Sequence, residues 1–121
     1  MSGVREALEA GDVDALAEQL HPDVVFRSPA VYRPYHGRDT VVALLGVVAQ
    51  VFENFRYAHE WRDGDTEILF FETNVAQYEL QGVDILEYDS EGRVTSFIVM
   101  IRPLSGLQAL AAAIQAKLEA V

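Results

Sequence analysis

With 121 residues, half of them hydrophobic, the chain suits one domain with one core and no disordered tract. Its 19 acidic against 9 basic residues give a formal net charge of −10, a field that repels phosphate backbones and anionic lipid and so argues against nucleic-acid or membrane partners. The absence of cysteine excludes disulfides, thiol catalysis and cysteine-ligated metal, and fits a cytoplasmic location.

The N-terminal stretch carries Arg5, Glu6 and Glu9 and no long apolar run, so it does not read as a signal peptide. Residues 4–20 read as a helix broken at Gly11, with Asp12 capping a second short helix that Pro22 stops. A short strand follows over residues 24–28. A loop rich in proline and tyrosine then covers 29–37. Residues 40–52 form a helix apolar nearly all round, the pattern of burial on several sides.

From Phe55 the period changes to two. Phe55, Tyr57, His59 and Trp61 are expected on one strand face, Arg56, Ala58, Glu60 and Arg62 on the other. Asp63-Gly64-Asp65 signals a turn. Residues 67–75 and 77–88 make the next strands, the second bent near Gly82. Asp89-Ser90-Glu91-Gly92 closes a hairpin onto a last strand, 94–101, apolar on both faces from Phe97 onward. Pro103 ends the sheet, and Ser105-Gly106-Leu107-Gln108 fits a capping box. Leu107, Leu110, Ala111, Ile114, Leu118 and Val121 form the apolar stripe of a final helix. Hairpin-joined strands with helices to one side give an α+β fold. A curved sheet wrapped on an apolar helix leaves a cone-shaped cavity, the default ligand site.

The residues also carry a resemblance. Residues 7–16 (ALEAGDVDAL), 21–29 (HPDVVFRSP), 36–39 (HGRD), 82–89 (GVDILEYD) and 92–94 (GRV), in that order and spacing, resemble the nuclear transport factor 2-like superfamily, specifically its SnoaL-like and ketosteroid-isomerase-like members. The resemblance implies a cone-shaped, mostly antiparallel sheet around helices. It also implies a homodimer formed through the outer sheet face, where Ile98 and Met100 are placed. Asp84 falls where ketosteroid isomerases carry a protonated aspartic acid that donates to a developing oxyanion. The family's general-base aspartate falls at Ser28, and its oxyanion-hole tyrosine falls near Val4.

Asp84 is therefore the candidate acid, and His59, with an ordinary pKa near 6.5, is the candidate base. Ligand contacts are expected from Ser28, Tyr32, His36, Tyr57, Trp61, Tyr78, Leu86 and Phe97. His21 reads as a helix C-terminal histidine, and Glu72 and Glu79 as residues of a solvated strand face. His21, His36 and His59 lack metal-ligand spacing, so no metal is expected. With no phosphate loop and no nucleophile elbow, no cofactor is expected either. The function expected is proton transfer on a small apolar or aromatic molecule. A ligand-binding module without chemistry and a dimerisation domain with an incidental cavity are the alternatives.

Overall fold

Gly11 and Asp12 divide the first helical run. The computed structural model describes residues 3–119, with α1 at Gly3–Ala10 and α2 at Val13–Gln19. Gly11 takes φ +67°, a left-handed turn that glycine enters without a Cβ clash. The Asp12 carboxylate accepts the Ala15 N–H at 3.0 Å and caps α2. Proline does not stop this helix: α2 ends at Gln19, and β1 (Leu20–Arg27) takes in Pro22. The register of β1 against its neighbour shifts between Leu20 and Val25, so Pro22 sits where the ladder is irregular and its missing N–H costs little.

The two-residue β2 (Tyr35–His36) lies inside the segment expected to be loop, paired to Val25 and Phe26. Helix α3 spans Arg38–Val51, and β3 (Glu53–Asp63), β4 (Thr66–Val75), β5 (Tyr78–Tyr88) and β6 (Val94–Arg102) form a meander. Helix α4 runs Leu104–Glu119. It begins two residues earlier than a Ser105 cap requires: Ser105 lies in its first turn, and the Leu107 N–H bonds to the Pro103 carbonyl at 3.0 Å. The stripe residue Val121 lies outside the described residues. The six strands order as β2-β1-β6-β5-β4-β3, with β1 parallel to β6 and every other pair antiparallel, an α+β architecture.

Two irregularities in β3 decide which side chains face inward. The register against β4 slips between Glu53 and Arg56, where Asn54 takes φ +55°, and again between Tyr57 and His59. Tyr57 opposes Phe71 while His59 opposes Phe70, leaving Ala58 as the extra residue. One extra residue exchanges the two faces of everything beyond it. Phe55 and Tyr57 therefore stay on the concave face. His59 and Trp61 turn to the convex face, contrary to the simple alternation, and Glu60 takes their place inside.

Strand β5 shows no such break at Gly82, which pairs with Phe71 and Ile101 in an unshifted ladder. The glycine serves packing instead: a Cβ there would collide with the Phe71 ring and come within 2.7 Å of the Met100 carbonyl oxygen. The main core joins Val4, Leu16, Leu20 and Val24 to Val41 and Leu45 of α3 and to Leu69, Leu86 and Phe97 of the sheet. A second cluster, Val51, Val75, Leu80 and Leu110, fixes α4 against the far end of the sheet. Helix α3 fully buries only Val41, Leu45 and Val51. Val42, Leu44, Val47 and Val48 are half-buried, and of these Leu44 and Val48 line a cavity.

Candidate functional site

The concave sheet face, α3, α4 and the end of α1 enclose a cavity of about 530 Å³. That volume suits a small organic ligand. Its wall is aromatic on the sheet side, with Phe26, Phe55, Tyr57, Phe71 and Phe97, joined by Phe52 at the end of α3. The rings hold one another: Phe52 stacks on Phe55 at 5.5 Å between centroids, Phe55 meets Tyr57 edge-on at 4.9 Å, and Phe26 meets Phe97 at 5.3 Å. Leu44, Leu45 and Val48 of α3 and Leu110, Ile114 and Leu118 of α4 supply the aliphatic side.

One polar pair is buried in this wall. Asp84 stands in β5 between Leu69 and Val99 and is 4% exposed. The Tyr57 hydroxyl reaches over β4 and donates to Asp84 Oδ2 at 2.5 Å. Burial pushes the Asp84 carboxyl up to about 7, with the Tyr57 hydrogen bond pulling the other way. Burial, and next the negative charge of Asp84, hold the Tyr57 phenol well above its ordinary range, so Tyr57 remains a donor. Arg5 lies behind this pair, outside the lining. Its guanidinium bonds Glu60 at 3.1 Å, Glu9 at 3.4 Å and the Tyr57 carbonyl at 3.3 Å, tying α1 to β3. Among the described residues, the lining holds two carboxylates, Glu9 and Asp84, and no lysine, arginine or histidine.

The structure brings together four of the side chains singled out in the sequence: Asp84, Tyr57, Ser28 and Phe97 all line the cavity. Leu86 is fully buried one row below, packed in the core rather than facing the cavity. His59 stacks on Trp61 at 5.5 Å on the convex face, so neither reaches the cavity; the bulge at Ala58 is the reason. Tyr32 points wholly into solvent, 101% exposed, at the tip of its loop. His36 is exposed in the edge strand β2, and Tyr78 is exposed at the outset of β5. His21 belongs to β1, where Nδ1 accepts the Asp23 N–H at 2.9 Å, rather than to a helix end. Val4 is buried in the core beside Ala7. Phe26, Phe52, Phe55, Phe71 and Val99 were not singled out, because nothing in their spacing separates a cavity wall from a core. Among the described residues no group of three histidines and carboxylates is placed to hold a metal, and no helix is long and apolar enough to cross a membrane.

The pattern of the SnoaL-like domain matches residues 3–97. The chain belongs to the SnoaL-like domain family. A steroid delta-isomerase from Pseudomonas aeruginosa superposes on this SnoaL-like chain with a TM-score of 0.91 at 39% identity, over 95% of this chain and 85% of its own. An uncharacterised protein with a cystatin-like fold from Silicibacter pomeroyi superposes with a TM-score of 0.91 at 34% identity, over 95% and 82%. A protein from Shewanella denitrificans described as a SnoaL-like polyketide cyclase shares the fold, with a TM-score of 0.70 at 18% identity over 94% and 93%. The fold is nuclear transport factor 2-like, as the sequence resemblance implied. No curated protein sequence matches the chain.

Proposed function

We propose that this SnoaL-like domain is a cofactor-free enzyme that moves a proton on a small, ring-bearing, largely apolar molecule held in the cavity. The observation that carries this reading is the Tyr57–Asp84 hydrogen bond, 2.5 Å long, buried in an aromatic wall. A carboxyl poised near neutrality both takes and gives a proton at pH 7. The proton comes from a carbon beside a ketone: the C–H bond breaks, the O–H bond of Asp84 forms, and the charge passes to the ketone oxygen as an enolate. Return of that proton to a different carbon restores the carboxylate and isomerises the substrate. Tyr57 holds the carboxylate form before the transfer. Once Asp84 is neutral it is a poorer acceptor, and the Tyr57 hydroxyl is free to turn towards the enolate. The likeness to a steroid delta-isomerase supports the reaction class. Ser28 at the family's base position, and His59 on the far face, leave Asp84 to do both halves of the transfer.

Those same two residues favour a second reading, a carrier that binds without turnover. The two are separated by following a β,γ-unsaturated ring ketone by ultraviolet absorbance as the conjugated product forms. Turnover by the wild type that is lost in Asp84→Asn supports the enzyme. Saturable binding with no conjugation in either protein supports the carrier.

We also propose a homodimer formed through the convex face and a cytoplasmic location, the latter supported by the absence of cysteine. On that face, register sets His59, Phe70, Val83 and Met100 in one row and Trp61, Ile68, Ile85 and Ile98 in the next. Polar rows flank them, Arg56-Glu72-Gln81-Arg102 on one side and Asp63-Thr66-Glu87-Ser96 on the other. Trp61 at 54% and Met100 at 56% exposure leave a continuous apolar stripe with a polar rim, the anatomy of an interface.

A further inference from the structure

The cavity holds a second polar group whose chemistry is fixed by its own loop. Ser28 follows β1 at the cavity wall, and its Oγ accepts the Ala30 N–H at 3.2 Å and the Val31 N–H at 3.0 Å. A serine oxygen has two lone pairs, and both are engaged. Its remaining capacity is to donate, and among the described residues no acceptor takes that proton. Ala30 and Val31 also line the cavity, so the turn that occupies the lone pairs belongs to the same wall.

The sheet register places this donor relative to Asp84. Phe26 is level with Phe97 and Arg27 with Ile98, so the next residue, Ser28, comes level with Val99. Val99 is in turn the direct partner of Asp84. Ser28 and Asp84 thus share one inward-facing row, with Val99 between them. Two strand spacings separate their backbones by roughly 10 Å. The sheet is concave on this side, so the side chains converge and their polar tips are closer than that. The space between them is apolar, with Val99 below and Phe26 and Phe97 alongside.

We infer that Ser28 is a second, donor-only anchor of the cavity, and that the natural ligand is a fused-ring molecule carrying two oxygen acceptors, one met by Tyr57 and Asp84 and the other by Ser28. This rests on the ligand-binding reading of the cavity and refines its substrate class. A ligand with one oxygen covers the half-buried Ser28 hydroxyl without replacing its hydrogen bond to water, which costs affinity. Among the described residues no cationic side chain lines the cavity, so both oxygens are uncharged, as in ketones, esters or quinones, rather than carboxylates.

The test compares 2-acetylnaphthalene, with one acceptor, and 2,6-diacetylnaphthalene, with one at each end, by titration calorimetry at pH 6. The wild type is expected to bind the diketone about fivefold or more tighter, the worth of one hydrogen bond. Ser28→Ala removes the donor and is expected to bring the two affinities together. Ser28→Thr keeps the hydroxyl and is expected to restore the preference, which separates loss of the donor from a disturbed loop. Equal affinities in the wild type, or a preference that survives in Ser28→Ala, would overturn the inference while leaving the cavity reading intact. Failure of the wild type to bind either ketone would overturn both.

Discussion

The Tyr57 hydroxyl lies 2.5 Å from Asp84 Oδ2 inside the cavity, although Asp84 and Tyr57 belong to strands separated by β4. The contact depends on Tyr57 being the last residue before the bulge at Ala58. Had the alternation continued unbroken, His59 would face inward beside it. The extra residue turns His59 outward and brings Glu60 to the inner row, where Arg5 meets it at 3.1 Å. A single backbone irregularity thus sets the chemistry of the wall: a phenol and a carboxyl, without an imidazole.

Tyr57→Phe tests the pair directly. The phenol donates to the carboxylate and so holds the Asp84 pKa down against burial. Without it the carboxyl should titrate higher, by about one to two units if the lost bond is that of a charged acceptor. Phenylalanine keeps the edge contact with Phe55, so the fold should persist. Carbon-13 NMR of the labelled aspartate carboxyl reads the shift. An unchanged midpoint would mean that the bond does not exist in solution.

Asp84→Asn should change how stability depends on pH. In the fold the carboxyl titrates near 7, raised from its ordinary 3.8. Its pKa is higher folded than unfolded, so its contribution is most favourable below the unfolded value. That contribution falls as pH climbs from about 4 to about 7, and is level above. The full loss is on the order of 4 kcal/mol. Asparagine removes the titration yet still accepts from Tyr57. Urea unfolding should therefore show the variant gaining on the wild type between pH 4 and pH 8, with the whole gain inside that window. A constant difference between the two proteins would show that Asp84 is ionised when folded.

Much of this was legible in the sequence, for reasons particular residues make plain. Gly11 and Asp12 announce their turn and cap because backbone and side-chain chemistry act locally there. The strands from β4 to β6 obey their period because hairpins at Gly64 and Gly92 fix their register. Asp84 stood out because the resemblance places it where ketosteroid isomerases carry a protonated aspartic acid, with Leu80 and Leu86 on the same strand face. The bulge at Ala58 was not legible: alanine carries no signal for the insertion, and the slip is defined only by pairing with Phe70 and Phe71. The aromatic wall was hidden for a different reason. Phe26, Phe52 and Phe71 present the same pattern whether they pack on protein or face an empty cone. Ser28 was visible as a position, but its role as a donor follows only from the N–H groups that occupy its oxygen.

Gly82→Ala should reshape the cavity without touching its polar groups. The new methyl meets the Phe71 ring and the Met100 carbonyl oxygen. The ring must move, and Phe71 both lines the cavity and packs on Phe55 at 5.3 Å. Overpacking of this kind costs about 1–3 kcal/mol. Thermal unfolding should show that loss, and naphthalene ketones should bind more weakly even well below the melting temperature. Unaltered stability would mean that β5 and β6 separate easily, against their continuous ladder.

Trp61→Glu tests the convex face. Trp61 stands in the edge strand β3 at the end of its apolar row and faces away from the cavity, stacked on His59. In a homodimer its indole would be buried against the partner, and a carboxylate there would have to be desolvated against the apolar side chains of the facing copy. Light scattering during size exclusion should give the wild type twice the 13.5 kDa mass of the chain and the variant a single chain mass at micromolar concentration. Circular dichroism should be unchanged, because the side chain leaves no core cavity behind. If the wild type runs as a monomer, the stripe of Phe70, Val83, Ile85 and Met100 is covered by something other than a second copy. If the variant remains dimeric, the two copies meet elsewhere, and the apolar rows are not what joins them.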